Sequence, residues 1–170
     1  MQLHVDNNSW NMAILILYLL AHGTNDVTAF VNDAALFTVS QKAILKDKKG
    51  RILMMEKTGK GHWDLPGGKL DEGEDMIAGL EREIIEETHL HKVHVGQIIY
   101  AGRRDFEEEG KPERVMLFYL CESDQKFDKI KLSDEHNEWR LMSPDDIKDQ
   151  KKVEINPVVR TALKVAFSLK

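Results

Sequence analysis

The sequence predicts an α/β fold of the α+β type, in which helices cover both faces of a mixed β-sheet. Short apolar segments bounded by turn residues recur from residue 36 onward and predict strands. A central segment with apolar residues at helical spacing predicts one helix, and an amphipathic segment at the end of the chain predicts another. Strands on either side of a central helix, followed by a terminal helix, indicate an α/β/α sandwich.

The first two strands are predicted on either side of a polar turn. Residues 37–45 are predicted to form a strand, residues 47–50 a turn, and residues 51–56 the returning strand of a hairpin. Within the second strand, residues 52–55 are apolar without interruption, so we expect this strand to be covered on both faces.

The later elements follow from the same patterns and from capping residues. They are strands over 93–100 and 114–121 joined by a turn over 107–112, a short strand carrying Trp139, a helix starting at Ser143, and a terminal helix starting at Asn156.

Composition limits the class of protein. The chain has 170 residues, enough for one domain with a substantial core. A formal net charge of -5 argues against an extended nucleic-acid surface, because phosphate contacts need clustered Lys and Arg. The single cysteine, Cys121, cannot form an internal disulfide, so we expect a reducing, cytoplasmic environment.

Residues 1–34 are predicted to form an N-terminal extension that precedes a domain over 35–170. Residues 12–21 are apolar, but this run is too short to span a bilayer. Residues 1–11 contain no Lys or Arg, which argues against a signal peptide. The extension therefore forms a buried strand or helix, or packs against a second copy of the protein in a homodimer.

Three carboxylates of the central helix carry the strongest chemical signal. Glu83, Glu86 and Glu87 stand at i, i+3 and i+4, so we expect them to emerge side by side. Like charges at this spacing destabilise an isolated helix by about 0.2–0.5 kcal/mol per pair, which predicts a positive partner. A lysine is one candidate, and a solvated acidic face is the simplest alternative. Hard oxygen ligands suit magnesium, calcium or manganese, and magnesium completes its shell with waters and substrate phosphates.

The loop before this helix contains a proline followed by two glycines. Pro66 fixes its own backbone, whereas Gly67 and Gly68 permit a close approach to a bound ion or phosphate. Glycine pairs are also common in ordinary turns, so the loop alone does not predict a function.

The segment from Gly68 to Leu90 resembles the Nudix box, Gly-x5-Glu-x7-Arg-Glu-U-x-Glu-Glu-x-Gly-U with U an apolar residue. The matching positions are Gly68, Glu74, Arg82, Glu83, Ile84, Glu86, Glu87 and Leu90. His89 stands where the family has its final glycine, and we expect it to end the helix in a left-handed conformation. The resemblance covers about residues 35–168 and implies the same α/β/α sandwich.

The resemblance implies a hydrolase that cleaves a diphosphate linkage with Mg²⁺, or with Mn²⁺ as a substitute. It implies that Glu83, Glu86 and Glu87 bind the metal, together with the carbonyl of Gly67, while Gly68 approaches the substrate. Glu74 takes a supporting role, and its predicted place in the first helical turn suits the helix dipole. Arg82 can reach Glu86 at i+4, so we expect it to orient the carboxylates.

A further glutamate is implied in the loop before Trp139, where it completes the metal shell or accepts the proton of the attacking water. Glu135 is our choice, with Glu138 in reserve, and a glutamate of the box is a third option. We expect His136 to be a surface residue.

Several side chains are candidates for contact with the substrate. Arg103 and Arg104 either grip phosphates or face the acidic turn that follows them. The aromatic rings of Trp63, Phe106 and Tyr119 either stack on a base or belong to the core.

The substrate is predicted by elimination. The chain lacks the marks of several subfamilies within the resemblance, which leaves a MutT-like (deoxy)nucleoside triphosphate pyrophosphatase. The alternatives are an ADP-ribose or nucleotide-sugar pyrophosphatase, and a module that binds a nucleotide without cleaving it. An isomerase of isoprenoid diphosphates would need a cysteine near the active loop, and Cys121 is poorly placed for that.

Overall fold

The structure is a computed structural model, and it describes residues 37–59, 61–104, 113–148 and 153–169. The extension predicted for residues 1–34, with its role in dimerisation, lies outside this range. So do the turn over 107–112 and Phe106.

The described residues form an α+β fold of seven strands and two helices. A short 3-10 turn, Phe127–Lys129, follows β5. The elements in chain order are β1 Phe37–Leu45, β2 Ile52–Lys57, β3 His62–Asp64, α1 Met76–Thr88, β4 Val93–Arg104, β5 Glu113–Ser123, β6 His136–Met142, β7 Glu154–Ile155 and α2 Pro157–Ser168.

The strands form two mixed sheets where the sequence predicted one. A three-stranded sheet has the order β1-β5-β4, and a four-stranded sheet has the order β6-β2-β3-β7. The β1–β5 and β3–β7 pairs are parallel, and the other pairs are antiparallel.

The predicted hairpin between β1 and β2 is wrong. β6 pairs with β2 along one edge, and β3 pairs with Met55 and Glu56 on the other edge. The two strands meet only at an isolated bridge between Lys46 and Ile52 beside the predicted turn. β1 pairs instead with β5 along its whole length.

Two clusters of buried residues lie on opposite faces of the strands. Alternate residues of β1 and β2 enter different clusters: Ile44 and Met54 pack with α2, whereas Leu45 and Leu53 pack with α1. This arrangement confirms that helices cover both faces. It also explains why residues 52–55 are fully buried, as their uninterrupted apolar run predicts.

Helix α1 begins and ends with identifiable caps. The Asp75 side chain accepts hydrogen bonds from the N–H groups of Ile77 and Ala78 at 3.0 Å. His89 ends the helix with φ 58° and ψ 24°, and its N–H donates to the carbonyl of Ile85, which confirms the predicted left-handed terminator. Leu80 and Ile84 of this helix are fully buried, whereas Ile77 in its first turn is exposed.

The two later helix predictions have opposite outcomes. Asn156 caps α2 by accepting from the N–H of Val158 at 2.9 Å, as predicted. The helix predicted from Ser143 is wrong, because residues 144–148 form a turn. There the Asp146 carboxylate accepts from both the N–H and the hydroxyl of Ser143, an arrangement of the capping-box type that is not followed by a regular helix over residues 144–148. Neither of the helices in the described ranges has the length and apolar character to cross a membrane.

Candidate active site

The loop that carries Gly67 and Gly68 is fixed against strand β1. The N–H of Gln41 donates to the carbonyl of Gly68 at 2.9 Å, and the N–H of Ala43 donates to the carbonyl of Pro66 at 2.8 Å. The loop therefore runs beside β1 as an extra, irregular strand, which holds both glycines in place.

Both positions need glycine for a close approach. Gly67 has φ +120°, and a Cβ there would lie 2.3 Å from the carbonyl oxygen of Gln41. A Cβ on Gly68 would lie 2.4 Å from the carboxyl carbon of Glu83. The Glu83 carboxylate therefore rests directly on the backbone of Gly68.

Glu87 is buried beneath the same loop. Its side chain accepts a hydrogen bond from the N–H of Gly67 at 2.7 Å, and the residue is 8% exposed. Burial raises the pKa of Glu87 to about 7, although the positive charge of Lys42 and the Gly67 N–H act in the opposite direction. Glu87 therefore connects helix α1 to the glycine loop.

Arg82 holds three carboxylates at once. It donates to both oxygens of Glu74, at 2.8 and 3.1 Å, and to Glu83 at 3.0 Å and Glu86 at 3.1 Å. The bond to Glu86 confirms the predicted i+4 contact. These bonds raise the pKa of Arg82 and lower the pKa of Glu74.

Glu74 lies outside the helix whose first turn it was predicted to occupy. Helix α1 begins at Met76 and Asp75 takes the N-cap, so Glu74 precedes the cap. Its partner is the Arg82 guanidinium, and this ion pair gives Glu74 a supporting role different from an interaction with the helix dipole.

Lys42 is a functional candidate that the sequence analysis missed. Its ammonium donates to the carbonyls of Gly67 at 2.6 Å and Leu65 at 3.1 Å, and lies 2.9 Å from the Asp64 carboxylate. The Lys42 side chain is 9% exposed. A single lysine at the start of an apolar run in a strand is the signal that could have identified it.

The carboxylates surround one loop but are held by different partners. Glu83 rests on Gly68, Glu87 on the Gly67 N–H and Glu86 on Arg82. Within the described ranges, no three His, Cys, Asp or Glu residues lie close enough to hold a metal ion together. The three carboxylates therefore do not converge on one point as the sequence predicted, because Arg82 binds Glu83 and Glu86 whereas the Gly67 N–H binds Glu87.

The residues nevertheless fit a magnesium ion by the chemistry of their donor atoms. All the donors are hard oxygens, and the contact between Glu83 and Gly68 exists only because Gly68 has no Cβ. Glu86 is the most exposed of the three, with 58% of its side chain accessible, so it can turn toward an ion without unfolding the loop. The Gly67 carbonyl is a donor that an ion would have to share with Lys42.

The loop before β6 brings one expected and one unexpected residue to the site. The side chain of Glu135 is exposed, and its carbonyl accepts from the N–H of Thr58 at 2.9 Å. His136 was predicted at the surface, but it is buried, because β6 begins at this residue and pairs it with Lys57. Its Nε2 lies 3.7 Å from Glu87, and burial lowers its pKa.

Glu138, the reserve for the proton acceptor, faces away from helix α1. Its carboxylate binds Arg140 at 2.7 and 2.9 Å, and the Arg140 guanidinium lies 4.9 Å from the ring centroid of Trp63. The neighbouring Trp139 packs into the cluster that contains α1. Since side chains alternate along a strand, Glu138 lies on the opposite face.

The two arginines predicted to bind substrate have different environments. Arg103 lies 3.2 Å from Glu113 in an exposed ion pair. Arg104 lines a cavity of about 340 Å³ together with Asp64 and Lys57, and it is paired in register with Arg114. Burial and the nearby Arg104 lower the pKa of Arg114.

The described aromatic candidates belong to the core. Trp63 is 5% exposed and Tyr119 is 3% exposed, and the Tyr119 hydroxyl accepts from Gln41 at 3.2 Å. Cys121 is also buried, and burial raises its pKa to about 12, which is unsuited to a nucleophile.

Comparison with known proteins gives the family. The model of the NUDIX domain matches residues 36–162. The RNA pyrophosphohydrolase of Psychrobacter sp. is 35% identical over 63 residues, which are 37% of this chain and 36% of that protein. The nucleoside diphosphate-linked moiety X motif 6 protein of Xenopus laevis is 39% identical over 81 residues, covering 46% and 36%. A putative 8-oxo-dGTP diphosphatase of Bacillus subtilis is 31% identical over 74 residues, covering 44% and 50%.

These matches span only about a third to a half of the curated relatives' length.

Solved structures match the fold of this chain over a larger share of both chains. The MutT protein of Methanosarcina mazei Go1 has a TM-score of 0.62 and 24% identity, covering 76% of this chain and 92% of that one. A NUDIX hydrolase of Nitrosomonas europaea has a TM-score of 0.64 and 20% identity, covering 78% and 90%. Since the NUDIX domain match extends over most of the chain, this protein belongs to the Nudix family.

Proposed function

We propose that this protein is a Mg²⁺-dependent hydrolase that cleaves the diphosphate linkage of a nucleoside diphosphate derivative. One observation carries the proposal: Glu83 and Glu87 contact the Gly67–Gly68 loop, and Arg82 links Glu86 to Glu83. We assign the hydrolase to residues 35–170, with residues 1–34 as an extension, and the family match from residue 36 supports this division.

Glu83, Glu86 and Glu87 would hold magnesium, with the Gly67 carbonyl as a further ligand. When bound, magnesium supplies charge neutralisation at the phosphates and a lowered pKa for an attacking water. Arg82 keeps Glu83 and Glu86 oriented through its two bonds at 3.0 and 3.1 Å. Glu74 in turn fixes the guanidinium by binding its other edge.

Glu135 is the residue that we propose as proton acceptor for the attacking water. Its side chain is exposed, and the bond between its carbonyl and Thr58 ties this loop to the end of β2. The next residue, His136, lies beside Glu87, so Glu135 belongs to a loop that reaches the carboxylates. Glu138 is a weaker candidate, because it is bound to Arg140 on the other face of the sheet.

Among substrates, we favour a nucleoside triphosphate, cleaved as by a MutT-like pyrophosphatase. Relatives named 8-oxo-dGTP diphosphatase and MutT-like protein support this choice. Relatives named RNA pyrophosphohydrolase favour a second candidate, the triphosphate end of an RNA. Arg104 is the better placed of the two predicted arginines for substrate phosphates, because it lines a cavity together with Asp64 and Lys57.

A substrate panel with identified products tests the proposal. The purified full chain is incubated with Mg²⁺ and nucleoside triphosphates, oxidised dGTP, ADP-ribose, nucleotide sugars and 5′-triphosphate RNA. We expect pyrophosphate and a nucleoside monophosphate from a triphosphate, and loss of turnover with EDTA. Preferred cleavage of ADP-ribose or a nucleotide sugar would replace the substrate assignment. Nucleotide binding without turnover of any compound would contradict the enzyme and indicate a binding module.

A further inference from the structure

Lys42 occupies a position with the properties of a cation site. Its ammonium has three hydrogen-bond donors, and each meets an oxygen within 3.1 Å: the carbonyls of Gly67 and Leu65 and the carboxylate of Asp64. The side chain is 9% exposed, so water competes little with these bonds. The oxygen set of two carbonyls and one carboxylate is also one that would accept a divalent ion.

One of these oxygens, the carbonyl of Gly67, is a ligand for both the Lys42 ammonium and the proposed magnesium ion. The shortest of the three bonds, at 2.6 Å, joins Lys42 to the Gly67 carbonyl, which is the backbone ligand assigned above to magnesium. The N–H of the same residue binds Glu87, so Lys42 and a proposed metal ligand both contact Gly67. A divalent ion beside a fixed ammonium experiences repulsion in a sheltered site.

We propose that Lys42 competes with the metal for the Gly67 carbonyl. The Lys42 ammonium must release this carbonyl before magnesium is fully coordinated. Lys42 thereby lowers the affinity of the site for magnesium, while Asp64 retains the ammonium beside the site after it has moved. This inference rests on the magnesium site of the proposed function and adds a residue that regulates its loading.

The competing explanation gives Lys42 a purely structural role. In that case the ammonium braces the loop by joining residues 64–67 to β1, and its removal would disorder the metal ligands. The two explanations predict opposite signs for the change in metal affinity. Loss of a brace weakens metal binding, whereas loss of a competitor strengthens it.

Metal affinity without substrate is therefore the measurement. Free Mn²⁺ is titrated by electron paramagnetic resonance against wild type and Lys42→Met, with circular dichroism as a check on folding. We expect Lys42→Met to bind Mn²⁺ roughly tenfold more tightly, since a positive charge that would repel the ion is removed. Equal or weaker binding by Lys42→Met would overturn the proposal.

Lys46 provides a matched control. It directly follows β1, and its ammonium also donates to two backbone carbonyls, those of Ala166 at 2.6 Å and Leu169 at 3.3 Å. These carbonyls belong to the end of α2, away from the glutamates. Lys46→Met should therefore leave Mn²⁺ affinity at the wild-type value, and tighter binding by this variant too would overturn the specific role of Lys42.

A second measurement uses the unmodified chain, in case Lys42→Met does not fold. The ammonium resonances of ¹⁵N-labelled lysines are followed during a Mg²⁺ titration, and Lys42 is assigned with Lys42→Arg. We expect the Lys42 signal to shift or broaden as Mg²⁺ saturates, while the Lys46 signal stays unchanged. A Lys42 signal that is unaffected at saturation would overturn the proposal.

The outcomes separate this inference from the function on which it rests. If wild type binds neither Mn²⁺ nor Mg²⁺, both are wrong. If wild type binds metal and Lys42→Met binds it no more tightly, only the competition is wrong. If Lys42→Met binds metal more tightly but no substrate is hydrolysed, the competition stands and the hydrolase assignment is wrong.

Discussion

At the scale of single residues, Arg82 determines where two of the proposed metal ligands point. Its planar guanidinium binds Glu74 through one edge, with Nε and Nη2 as donors. Its Nη1 donates to both Glu83 and Glu86. A lysine ammonium keeps the charge but cannot reproduce this set of directions. We therefore expect Arg82→Lys to weaken Mn²⁺ binding by about 10–100-fold, the usual cost of removing an orienting partner.

Arg140→Lys is the control for that substitution. Arg140 also binds a glutamate through its guanidinium, but on the sheet face opposite α1. Unchanged Mn²⁺ affinity is expected for Arg140→Lys. Full affinity in Arg82→Lys would show that the carboxylates do not depend on Arg82.

Burial of Glu87 has a consequence for stability that can be measured in EDTA. Its pKa is raised from 4.5 to about 7, so between these values the folded chain holds a proton that the unfolded chain has released. The stabilisation is complete below pH 4.5 and is lost as the pH rises through 7, by on the order of 3 kcal/mol. Glu87→Gln should lack this part of the pH dependence of the unfolding free energy. If the unfolding free energies of wild type and Glu87→Gln changed in parallel between pH 4.5 and 7, the result would be inconsistent with the raised pKa of Glu87.

Residues were predictable where the chemistry depends on local spacing. Arg82 and Glu86 are one helical turn apart, so their contact follows from the sequence. Lys42 and His136 were missed, because strands distant in sequence bring them to Gly67 and Glu87. Neither position belongs to a local motif.

At the scale of elements, the glycine loop depends on its contact with β1. A Cβ at Gly67 would clash with the carbonyl oxygen of Gln41. Any residue that replaces Gly67 would also have to adopt φ +120°. Gly73 has φ +75° but open space around it, so Gly73→Ala costs only the strain, about 1–2 kcal/mol. We expect Gly67→Ala to lower the unfolding free energy by a further ~1–3 kcal/mol, the cost of overpacking. The unfolding free energies of both variants are measured by chemical denaturation. If Gly67→Ala lost no more unfolding free energy than Gly73→Ala, the loop would be free to move away from β1.

The end of helix α1 carries a small strain that glycine relieves. His89 has φ 58°, and its ring nitrogen Nδ1 lies 2.9 Å from the carbonyl of Lys131. His89→Gly should raise the unfolding free energy by about 0.5–1 kcal/mol, since the relief of left-handed backbone strain exceeds the loss of one exposed hydrogen bond.

His89→Ala separates the two terms of that balance. It retains the left-handed strain and loses the hydrogen bond, so we expect it to be less stable than wild type. If His89→Gly had a lower unfolding free energy than His89→Ala, the assignment of strain to the backbone of residue 89 would be wrong.

The elements themselves were largely predictable, but their partners were not. β1 begins and ends at the predicted residues, because apolar runs and turn residues are local signals. The β1–β2 hairpin was wrong, because competition among β3, β6 and β1 for the edges of β2 is decided by the whole sheet. The turn at Ser143 shows that capping residues alone do not produce a helix.

At the scale of the whole molecule, the two sheets and two helices of the described residues place the acids of α1 against a loop fixed by β1. The α+β class and helices on both faces followed from the order of elements, because each apolar face needs a cover. The division into two sheets did not, since the sequence pattern does not specify which strands share an edge. Positive charges from Arg82 and Lys42 partly balance the carboxylates, a role that the sequence analysis had assigned mainly to metal.

The central claim is that these carboxylates bind magnesium for hydrolysis of a diphosphate linkage. The most direct measurement is Mg²⁺-dependent turnover of the best substrate by wild type, Glu86→Gln and Glu138→Gln. Glu138 is the control, since its carboxylate binds Arg140 on the opposite sheet face. We expect Glu86→Gln to lose at least about 100-fold in turnover at saturating Mg²⁺, while Glu138→Gln retains the wild-type rate. Undiminished turnover in Glu86→Gln, or equal losses in the two variants, would contradict the account.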